Sequence, residues 1–344
     1  MVKQVDTEQI IMETHECMDW DAKEYANMVR DTCKYSAQKD IPLTAVDSET
    51  EILENLPAAE ADSETELLED LPVAAVDSEA EMLEDLQCEG LCLIQKRGGF
   101  KFGMDSVLLA NFVKTRKHAT VVELCSGSGV VSILLAKKTG AQHIIGVEIQ
   151  DSFVEMANRS VRLNHLESKV QFICQDLRGI VTQQKPGNRQ VSKGNVLPVF
   201  QNTLTPVGAE TVDTVVVNPP YIKQNAGIQN AEISVAIARH EICCTLRDVV
   251  KSAAFLLAPG GSLFMVHRPD RLADVFCTFR EFDIEPKFVK AVHASYGKRP
   301  VLFLICGKKQ SGAELRFLKP LYTYDLSGNY ITQETLKLLN SEIQ

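Results

Sequence analysis

The sequence predicts an α/β protein: a seven-stranded, mostly parallel sheet with helices on both faces, an antiparallel hairpin at its C-terminal edge and an acidic arm before it. From about residue 91, short apolar stretches alternate with amphipathic ones, which is the pattern of strand–helix–strand units. Charge is segregated as well: residues 1–90 contain 5 basic and 25 acidic residues, and the rest contains 31 basic and 21 acidic residues. An acidic arm is therefore expected to precede a basic body.

The arm is predicted to comprise a partly helical segment, 1–44, and an acidic linker, 45–87. The linker holds three units of a 15-residue repeat, "DSETEILENLP", "DSETELLEDLP" and "DSEAEMLEDLQ". Each unit has the Ser-x-x-Glu capping box that starts a helix, but helices of about eight residues are marginal in water. We therefore expect a largely disordered linker. The alternative is an arm that binds a protein partner or covers the basic body.

Seven apolar segments of the body, 88–344, are predicted strands. The first five suit a parallel sheet and are, in chain order, "TVVEL", "HIIGVEI", "KVQFIC", "DTVVVN" and "GSLFMVH". The last two, "KFVKAVHA" and "PVLFLICG", have no convincing helix between them and suit an antiparallel hairpin at the sheet edge. Residues 178–210 are rich in Gln, Gly, Asn and Pro and too long for an ordinary connection, so they are predicted to form an inserted mobile loop.

Composition argues against secreted, membrane and metal-binding proteins. The N-terminus lacks a basic start followed by an apolar run, and no apolar stretch approaches the roughly 20 residues that span a bilayer. The ten cysteines are scattered, without the spacing of a zinc site or a redox motif. We therefore expect a reduced, cytoplasmic protein with no metal site and no membrane segment.

A glycine turn and two acidic residues fall at the ends of three consecutive predicted strands. In "ELCSGSG" (123–129), Gly127 and Gly129 let the backbone pass close to a ligand at a helix N-terminus. Glu148 ends the second strand, where a carboxylate would accept both hydroxyls of a ribose, and Asp176 follows the third, within reach of an adenine amine. An adenosine-shaped site is predicted. The alternatives are a tight strand–helix corner and a dinucleotide site. The dinucleotide-binding fingerprint G-x-G-x-x-G requires a third glycine, however, and this sequence has Ser132 at that position.

The fourth strand ends in "NPPY", and in open α/β sheets the ligand crevice lies beyond the carboxyl ends of the strands. The two prolines hold the backbone extended. The Asn218 side-chain oxygen and the Pro219 carbonyl then form two adjacent acceptors, which match the two N–H donors of an amino group on an aromatic ring. Tyr221 offers a face on which a target base could stack. The alternative for this motif alone is a rigid loop.

These motifs resemble those of a known family. "ELCSGSG", "GVEI", "CQDL" and "NPPY" are similar to the motifs of Rossmann-like class I methyltransferases that use S-adenosylmethionine and act on a planar nitrogen. Three flanking segments, 99–112, 238–272 and 318–331, resemble the bacterial tRNA adenine-N6-methyltransferases that modify the base 3′ of the valine tRNA anticodon. The resemblance covers roughly 90–340. The family body usually lacks an acidic arm such as 1–87, and its counterpart of 178–210 is usually shorter.

The resemblance implies direct, in-line N6-methylation of adenine in tRNA without a metal, and the basic body suits an RNA partner. The residues that would bind the cofactor are Glu123, Gly127, Gly129, Glu148 and Asp176. The residues that would hold the target adenine are Asn218, Pro219 and Tyr221. Basic residues that could grip the RNA backbone are Arg268, Arg271, Lys298 and Arg299. The residues that could close over the cofactor are Phe102 and Asp105, for which a core aromatic and a helix cap are equally good explanations.

Two rival functions remain open. One is a protein glutamine N5-methyltransferase acting on a release factor, since a side-chain amide nitrogen is also planar and weakly nucleophilic. The net charge of residues 91–344, with 31 basic and 21 acidic residues, argues against it. The other is a noncatalytic RNA-binding protein with a degenerate methyltransferase body, which the intact glycine turn and Asn218 disfavour.

Overall fold

The computed structural model describes residues 80–97, 102–181, 208–221, 244–325 and 331–335. All of them belong to one compact unit, 63–344. The predictions for 1–44, for the first two acidic repeats and for most of the inserted loop lie outside the described residues. Among the described helices, none is both long and apolar enough to span a membrane.

Strands and α-helices alternate through most of the described chain, as the sequence predicts. The strands are β1 (Glu81–Asp85), β2 (Cys92–Lys96), β3 (Thr120–Leu124), β4 (His143–Glu148), β5 (Val170–Cys174), β6 (Val212–Val217), β7 (Leu257–His267), β8 (Ile284–His293), β9 (Pro300–Lys309), β10 (Arg316–Phe317) and β11 (Leu321–Tyr322). The α-helices are α1 (Met104–Phe112), α2 (Val130–Lys138), α3 (Asp151–Leu163), α4 (Leu246–Leu256) and α5 (Leu272–Glu281). Two 3₁₀ helices span Leu177–Ile180 and Pro269–Arg271.

The main sheet has the order β10-β8-β9-β7-β6-β3-β4-β5, and β11 also pairs with β8. The five strands β3 to β7 are parallel to one another, and β9 runs antiparallel between β7 and β8. The predicted α/β class, its seven long strands and the antiparallel hairpin are thus confirmed, and the two-residue strands β10 and β11 extend the edge. Strand order reverses between β3 and β6, so the switch point of the sheet lies there.

The central strands form because their residues are buried on both faces. Val121 and Val122 of β3 and Val215 and Val216 of β6 are fully buried, as expected where helices cover both sides of a parallel sheet. One core cluster joins the sheet to α1, α2 and α3, and a second joins it to α4 and α5. Two helical layers therefore hold the strand ends in fixed register, which is the requirement for a site built on those ends.

The helix α5 was not predicted, although its pattern was present. Leu272, Val275, Phe276 and Phe279 recur at the spacing of one helical face, and Val275 and Phe279 are fully buried in the second core cluster. The connection from β7 to β8 therefore contains an α-helix that packs on the sheet through the second core cluster. The antiparallel pair is β8 with β9, as expected.

The third acidic repeat is not the linker or marginal helix that its sequence suggests. Glu81–Asp85 forms β1, which pairs antiparallel with β2. The buried Glu81 carboxylate is bound by both terminal nitrogens of Arg159 on α3, and Leu83 packs against the small cluster formed around Ile94. Pairing and burial outweigh a weak local helix preference. The ordered body therefore begins at or before residue 81, and the linker predicted over 45–87 does not extend through β1.

The inserted segment, 178–210, also begins later than predicted. Leu177 and Ile180 are buried in a 3₁₀ helix, and the Leu177 carbonyl accepts a hydrogen bond from Ser252 of α4 at 2.9 Å. Residues 178–181 are thus part of the packed body. Residues 182–207, the remainder of that prediction up to the start of the next described segment, lie outside the described residues.

Candidate active site

The ends of β3 and β4 are joined by one carboxylate. Glu148, the last residue of β4, accepts the Gly127 N–H at 2.9 Å through Oε2 and the Gln150 N–H at 3.0 Å through Oε1. The side chain is buried, and this desolvation raises the pKa of Glu148 above its ordinary value, although the backbone donors oppose the shift. The predicted pair of Gly127 and Glu148 is therefore brought into direct contact.

The two glycines of the turn serve different purposes. Both have left-handed backbones, with φ of +51° at Gly127 and +87° at Gly129. A Cβ at Gly129 would lie 2.4 Å from the Phe172 ring, so this glycine is needed for packing. A Cβ at Gly127 would meet no atom within 4 Å. Gly127 therefore borders open space beside the N-terminus of α2, where a ligand can approach the backbone.

Ser132 explains why the glycine fingerprint stops after two glycines. Its N–H and hydroxyl both donate to Oε2 of Glu123, a fully buried residue of β3. Burial raises the pKa of Glu123 to about 8, and the hydrogen bonds from Ser132 oppose that rise. Glu123 therefore fixes α2 to β3 from beneath the turn, and a glycine at position 132 would remove one of its two donors.

Asp176 lies at the same edge of the sheet, just after β5, but its carboxylate has a local partner. Both oxygens bond the Arg178 guanidinium, and Oδ1 also accepts the Arg178 N–H at 2.9 Å. These hydrogen bonds lower the pKa of Asp176. The structure thus brings Asp176 to the predicted strand end and shows a charged neighbour that the sequence reading did not include.

On the other side of the switch point, a polar cluster surrounds Asn218 directly after β6. The Asn218 Nδ2 donates to Asp105 Oδ2 at 3.2 Å and to Ser106 Oγ at 3.0 Å. The Tyr221 hydroxyl lies 2.9 Å from Asp105 Oδ2 and also contacts Asn218 Oδ1. Pro219 between them is buried. Asp105 and Ser106 lie in the first turn of α1, so this helix contacts both polar residues of the motif, Asn218 and Tyr221.

This cluster determines which way the Asn218 amide points. A carboxylate oxygen only accepts hydrogen bonds, so Asp105 requires the amide nitrogen on its own side. The amide oxygen then faces away from Asp105, toward the Tyr221 hydroxyl. Burial and Asp105 raise the pKa of Tyr221 well above its ordinary value, so its phenol stays protonated and acts as a hydrogen-bond donor.

His267, the last residue of β7, supports Tyr221 from behind. Its ring lies 5.2 Å from the Tyr221 ring in an edge-on arrangement and stacks on Phe303 at 6.2 Å. Nδ1 accepts the Arg268 N–H at 2.8 Å, so the proton of the neutral ring is on Nε2, which has no partner among the described residues. Burial lowers the pKa of His267 to about 4, so the ring is neutral at physiological pH.

Asp105, Ser106 and His267 are the site residues that sequence reasoning missed or assigned differently. Asp105 was considered only as a helix cap or a residue closing over the cofactor, and Phe102 instead packs against the core. The signal for His267 was available, because β7 runs parallel to β6 and both strand ends lie at one edge. Asp105 precedes Asn218 by 113 residues, so only the tertiary fold shows the contact.

The basic residues proposed to grip RNA separate into two groups. Arg271 is buried and bonds Asp274 at 2.8 Å, so the expectation that it grips RNA is wrong. Arg268, Lys298 and Arg299 are exposed.

The described residues contain no group of three or more His, Cys, Asp or Glu side chains that could hold a metal ion.

Comparison with known proteins agrees with this geometry. A family model described as the TRM5/TYW2 methyltransferase domain matches residues 107–197. A solved structure described as a predicted O-methyltransferase from Agrobacterium tumefaciens has a TM-score of 0.51 and 20% identity, covering 70% of this chain and 97% of that one, and shows the same fold. The chain is thus similar to class I methyltransferases, in sequence over residues 107–197 and in fold. S-adenosylmethionine is the cofactor of that class.

Two curated proteins with similar sequences carry the name tRNA1(Val) (adenine(37)-N6)-methyltransferase. The protein from Bacteroides fragilis is 25% identical over 166 residues, which are 48% of this chain and 59% of the relative. The protein from Aeromonas hydrophila is 27% identical over 204 residues, which are 59% of this chain and 74% of the relative. The similarity thus spans less than two thirds of the Bacteroides protein.

The residues at the ends of β3 and β4 fit S-adenosylmethionine. Gly127 leaves open space at the turn, and α2 begins there without a side-chain cap on its N-terminus. Ser126 Oγ, in the same turn, is buried and has no hydrogen-bond partner among the described residues. Glu148 adds a buried carboxylate with unused lone pairs at the end of β4. Open space at the turn, an uncapped helix N-terminus and a buried carboxylate therefore lie together at the ends of β3 and β4.

The role of Gly127 can be tested by Gly127→Ala. The added methyl would project into the open space, so we expect S-adenosylmethionine affinity in calorimetric titration to fall at least tenfold. Gly90→Ala is the matched control, because Gly90 has φ of +72°, also has no atom within 4 Å of a built Cβ and lies in the β1–β2 turn. Both variants should lose about 1 kcal/mol of stability. Equal cofactor affinity in the two would contradict the assignment.

The protonation of Glu123 predicts a pH-dependent stability. The folded state holds the proton up to about pH 8, whereas an exposed glutamate loses it near 4.5. Between these values the folded state binds more protons, so stability must fall as pH rises, by up to about 1.4 kcal/mol per unit. Denaturant unfolding of the cofactor-free protein at several pH values measures this slope. Glu123→Gln should flatten it, and parallel curves for the two proteins would show that Glu123 is not the titrating group.

Proposed function

We propose that the protein transfers the methyl group of S-adenosylmethionine to N6 of an adenine in tRNA, in the anticodon loop of a valine tRNA. The observation that carries the proposal is the orientation of Asn218. Its amide oxygen is turned away from Asp105 at the end of β6, and β6 neighbours β3, the strand whose glycine turn borders the cofactor opening. A planar amine held there would lie between an acceptor pair and the methyl donor.

The names of the two curated relatives support this substrate, and the charge of the body supports a polyanionic one. Outside residues 1–90 the chain has 31 basic and 21 acidic residues. Neutralised phosphates release counterions, so such a surface favours nucleic acid over an acidic or neutral protein. The same observation disfavours the glutamine methyltransferase that the motif alone would also allow.

Catalysis by these residues is a matter of positioning. The cofactor supplies an activated methyl group on a sulfonium, which needs no covalent enzyme intermediate. The Asn218 oxygen and the Pro219 carbonyl would accept the two hydrogens of the adenine amine, and these bonds would strengthen as the nitrogen lone pair forms the new bond to the methyl group and the nitrogen gains positive charge. Asp105 and Ser106 hold the amide in the productive orientation. The amine can release its proton after the transfer.

Tyr221 and His267 complete the adenine site. In the structure the Tyr221 hydroxyl contacts the same Asn218 oxygen that the amine requires. The target base would therefore replace this hydroxyl, and the Tyr221 ring, supported by His267, would stack against the base. The base must leave its helical stack to reach this position, which favours a single-stranded loop as substrate.

The test is nucleoside mass spectrometry of tRNA incubated with S-adenosylmethionine and enzyme. Wild type should form N6-methyladenosine, and Asn218→Ala should reduce it about 100-fold or more. Asp105→Ala, which keeps Asn218 but frees its amide to rotate, should give an intermediate level at unchanged cofactor affinity. Asn111→Ala is the control, because this half-buried asparagine of α1 bonds Lys138 instead of the motif.

Two results would contradict the proposal. With labelled cofactor and a mixture of tRNA and release factor, label in the protein fraction alone would favour the glutamine methyltransferase. Calorimetry without S-adenosylmethionine binding would favour the noncatalytic RNA-binding protein.

We further propose that the reaction is cytoplasmic and that the acidic arm competes with RNA for the basic body. The contrast between 25 acidic residues in 1–90 and the basic remainder supports this competition. A chain starting at residue 80 keeps β1 and should bind tRNA more tightly, most clearly at low salt. Unchanged affinity and unchanged salt dependence would exclude competition and leave a protein partner as the role for the arm.

A further inference from the structure

The turn between β8 and β9 presents an aromatic side chain at the active-site edge of the sheet. The Lys298 N–H bonds the Ser295 carbonyl at 3.2 Å, and Gly297 has φ of +77°, the left-handed value that the third position of a type II turn requires. Tyr296 therefore occupies the second, outward position of the turn, and 48% of its surface is exposed. An exposed tyrosine on a rigid turn presents a ring face at little entropic cost.

Two further rings lie next to Tyr296 in a series. The Tyr322 ring of β11 is 5.7 Å from the Tyr296 ring, and the His293 ring is 5.2 Å from the Tyr322 ring, both in tilted arrangements. The His293 Nδ1–H donates to the Lys298 carbonyl at 2.7 Å, which fixes the base of the turn. The three rings form a continuous series that holds Tyr296 in place and leaves its outer side to solvent.

The chain segment that carries this series is basic, although Lys290 is paired with Glu334 at 3.4 Å. Residues 287–299 contain four lysines and arginines and no aspartate or glutamate. Lys298 and Arg299, which follow Gly297 of the turn, are both exposed. Aromatic rings interleaved with cationic side chains are the pattern by which proteins bind single-stranded nucleic acid, since the ring stacks on a base while the cations contact phosphates.

The three rings also lie at the same end of the strands as Asn218. Val217 pairs with Met265, and His267 pairs with Phe303 near the start of β9. His293, the last residue of β8, pairs with Pro300, the first residue of β9. The ends of β6, β7 and β8 therefore share one edge. Asn218 and the turn are separated by three strand spacings, or about 14 Å across the sheet.

We propose that Tyr296, backed by Tyr322 and His293, is a stacking platform for a second nucleobase of the substrate RNA, and that Lys298 and Arg299 bind the adjoining phosphates. This inference rests on the proposed function, since it extends the RNA path outward from the Asn218 site. The platform would hold an unpaired nucleotide near the target adenine. It would thereby select single-stranded loops before the target base enters the active site.

The experiment compares equilibrium binding of an unmodified valine tRNA transcript, by filter retention at fixed salt, with initial rates of methyl transfer. Tyr296→Ala should weaken binding about tenfold or more and raise the KM for tRNA in proportion, with kcat and cofactor affinity unchanged. Tyr296→Phe should bind like wild type because the ring remains. Lys298→Ala with Arg299→Ala should reduce the slope of log Kd against log salt by about 1.4, as expected for two lost phosphate contacts.

Phe317→Ala is the matched control. Phe317 of β10 is the more exposed aromatic, at 72%, but it pairs beside Val289 toward the middle of β8, away from the turn. It should leave tRNA binding unchanged. Unchanged binding by Tyr296→Ala, or an equal loss in Phe317→Ala, would overturn the platform.

Binding and chemistry are measured separately, so the two proposals can fail separately. If wild type binds tRNA through Tyr296 but forms no N6-methyladenosine, the proposed function fails and the platform stands. If wild type forms N6-methyladenosine and Tyr296→Ala binds normally, the platform fails and the function stands. Thermal melting of each variant verifies that the fold is intact.

Discussion

The hydrogen bond from the Gly127 N–H to the Glu148 carboxylate fixes the geometry on which the site depends. It holds the left-handed turn after β3 against the end of β4, and the second oxygen of Glu148 holds the start of the next connection through Gln150. Because the carboxylate is buried, its backbone donors are its main compensation for lost hydration. The open space at Gly127 exists because these contacts keep the turn from collapsing onto the strand ends.

A second polar cluster, around Asn218, lies on the other side of the switch point from Gly127 and Glu148. Asp105 reaches from α1 to Asn218 and Tyr221, so the orientation of the acceptor amide is set by a helix outside the parallel strand units. The contact between Gly127 and Glu148 joins two strand–helix units that are consecutive in the chain. The cluster around Asn218 instead joins α1 to the end of β6. A change in the position of Asp105 on α1 would therefore disturb the orientation of the Asn218 amide directly.

This difference explains which features the sequence could predict. Parallel strands place their carboxyl ends at one edge, so the positions of Gly127, Glu148 and Asn218 follow from finding the strands. The Asp105 contact and the burial of Arg271 follow only from tertiary packing. The acidic repeats show the same limit. The local pattern of "EMLED" at 81–85 is that of a short helix, but the segment forms a strand because it pairs with β2 and because Arg159 binds the Glu81 carboxylate. The local helix propensity of a segment decides its conformation only where no tertiary contact outweighs that propensity.

The state of Asn218 without substrate bears on how an adenine would enter. Each polar atom of the amide already has a partner: the nitrogen contacts Asp105 and Ser106, and the oxygen contacts the Tyr221 hydroxyl. An incoming amine would exchange one donor for another at that oxygen, so no half-buried polar atom is left unsatisfied in either state. The displaced Tyr221 hydroxyl would still have Asp105 as an acceptor, which lies 2.9 Å from it in the structure. In the proposed function Asp105 would thus serve both states: it would orient the amide before the base arrives and bind the tyrosine hydroxyl after its displacement.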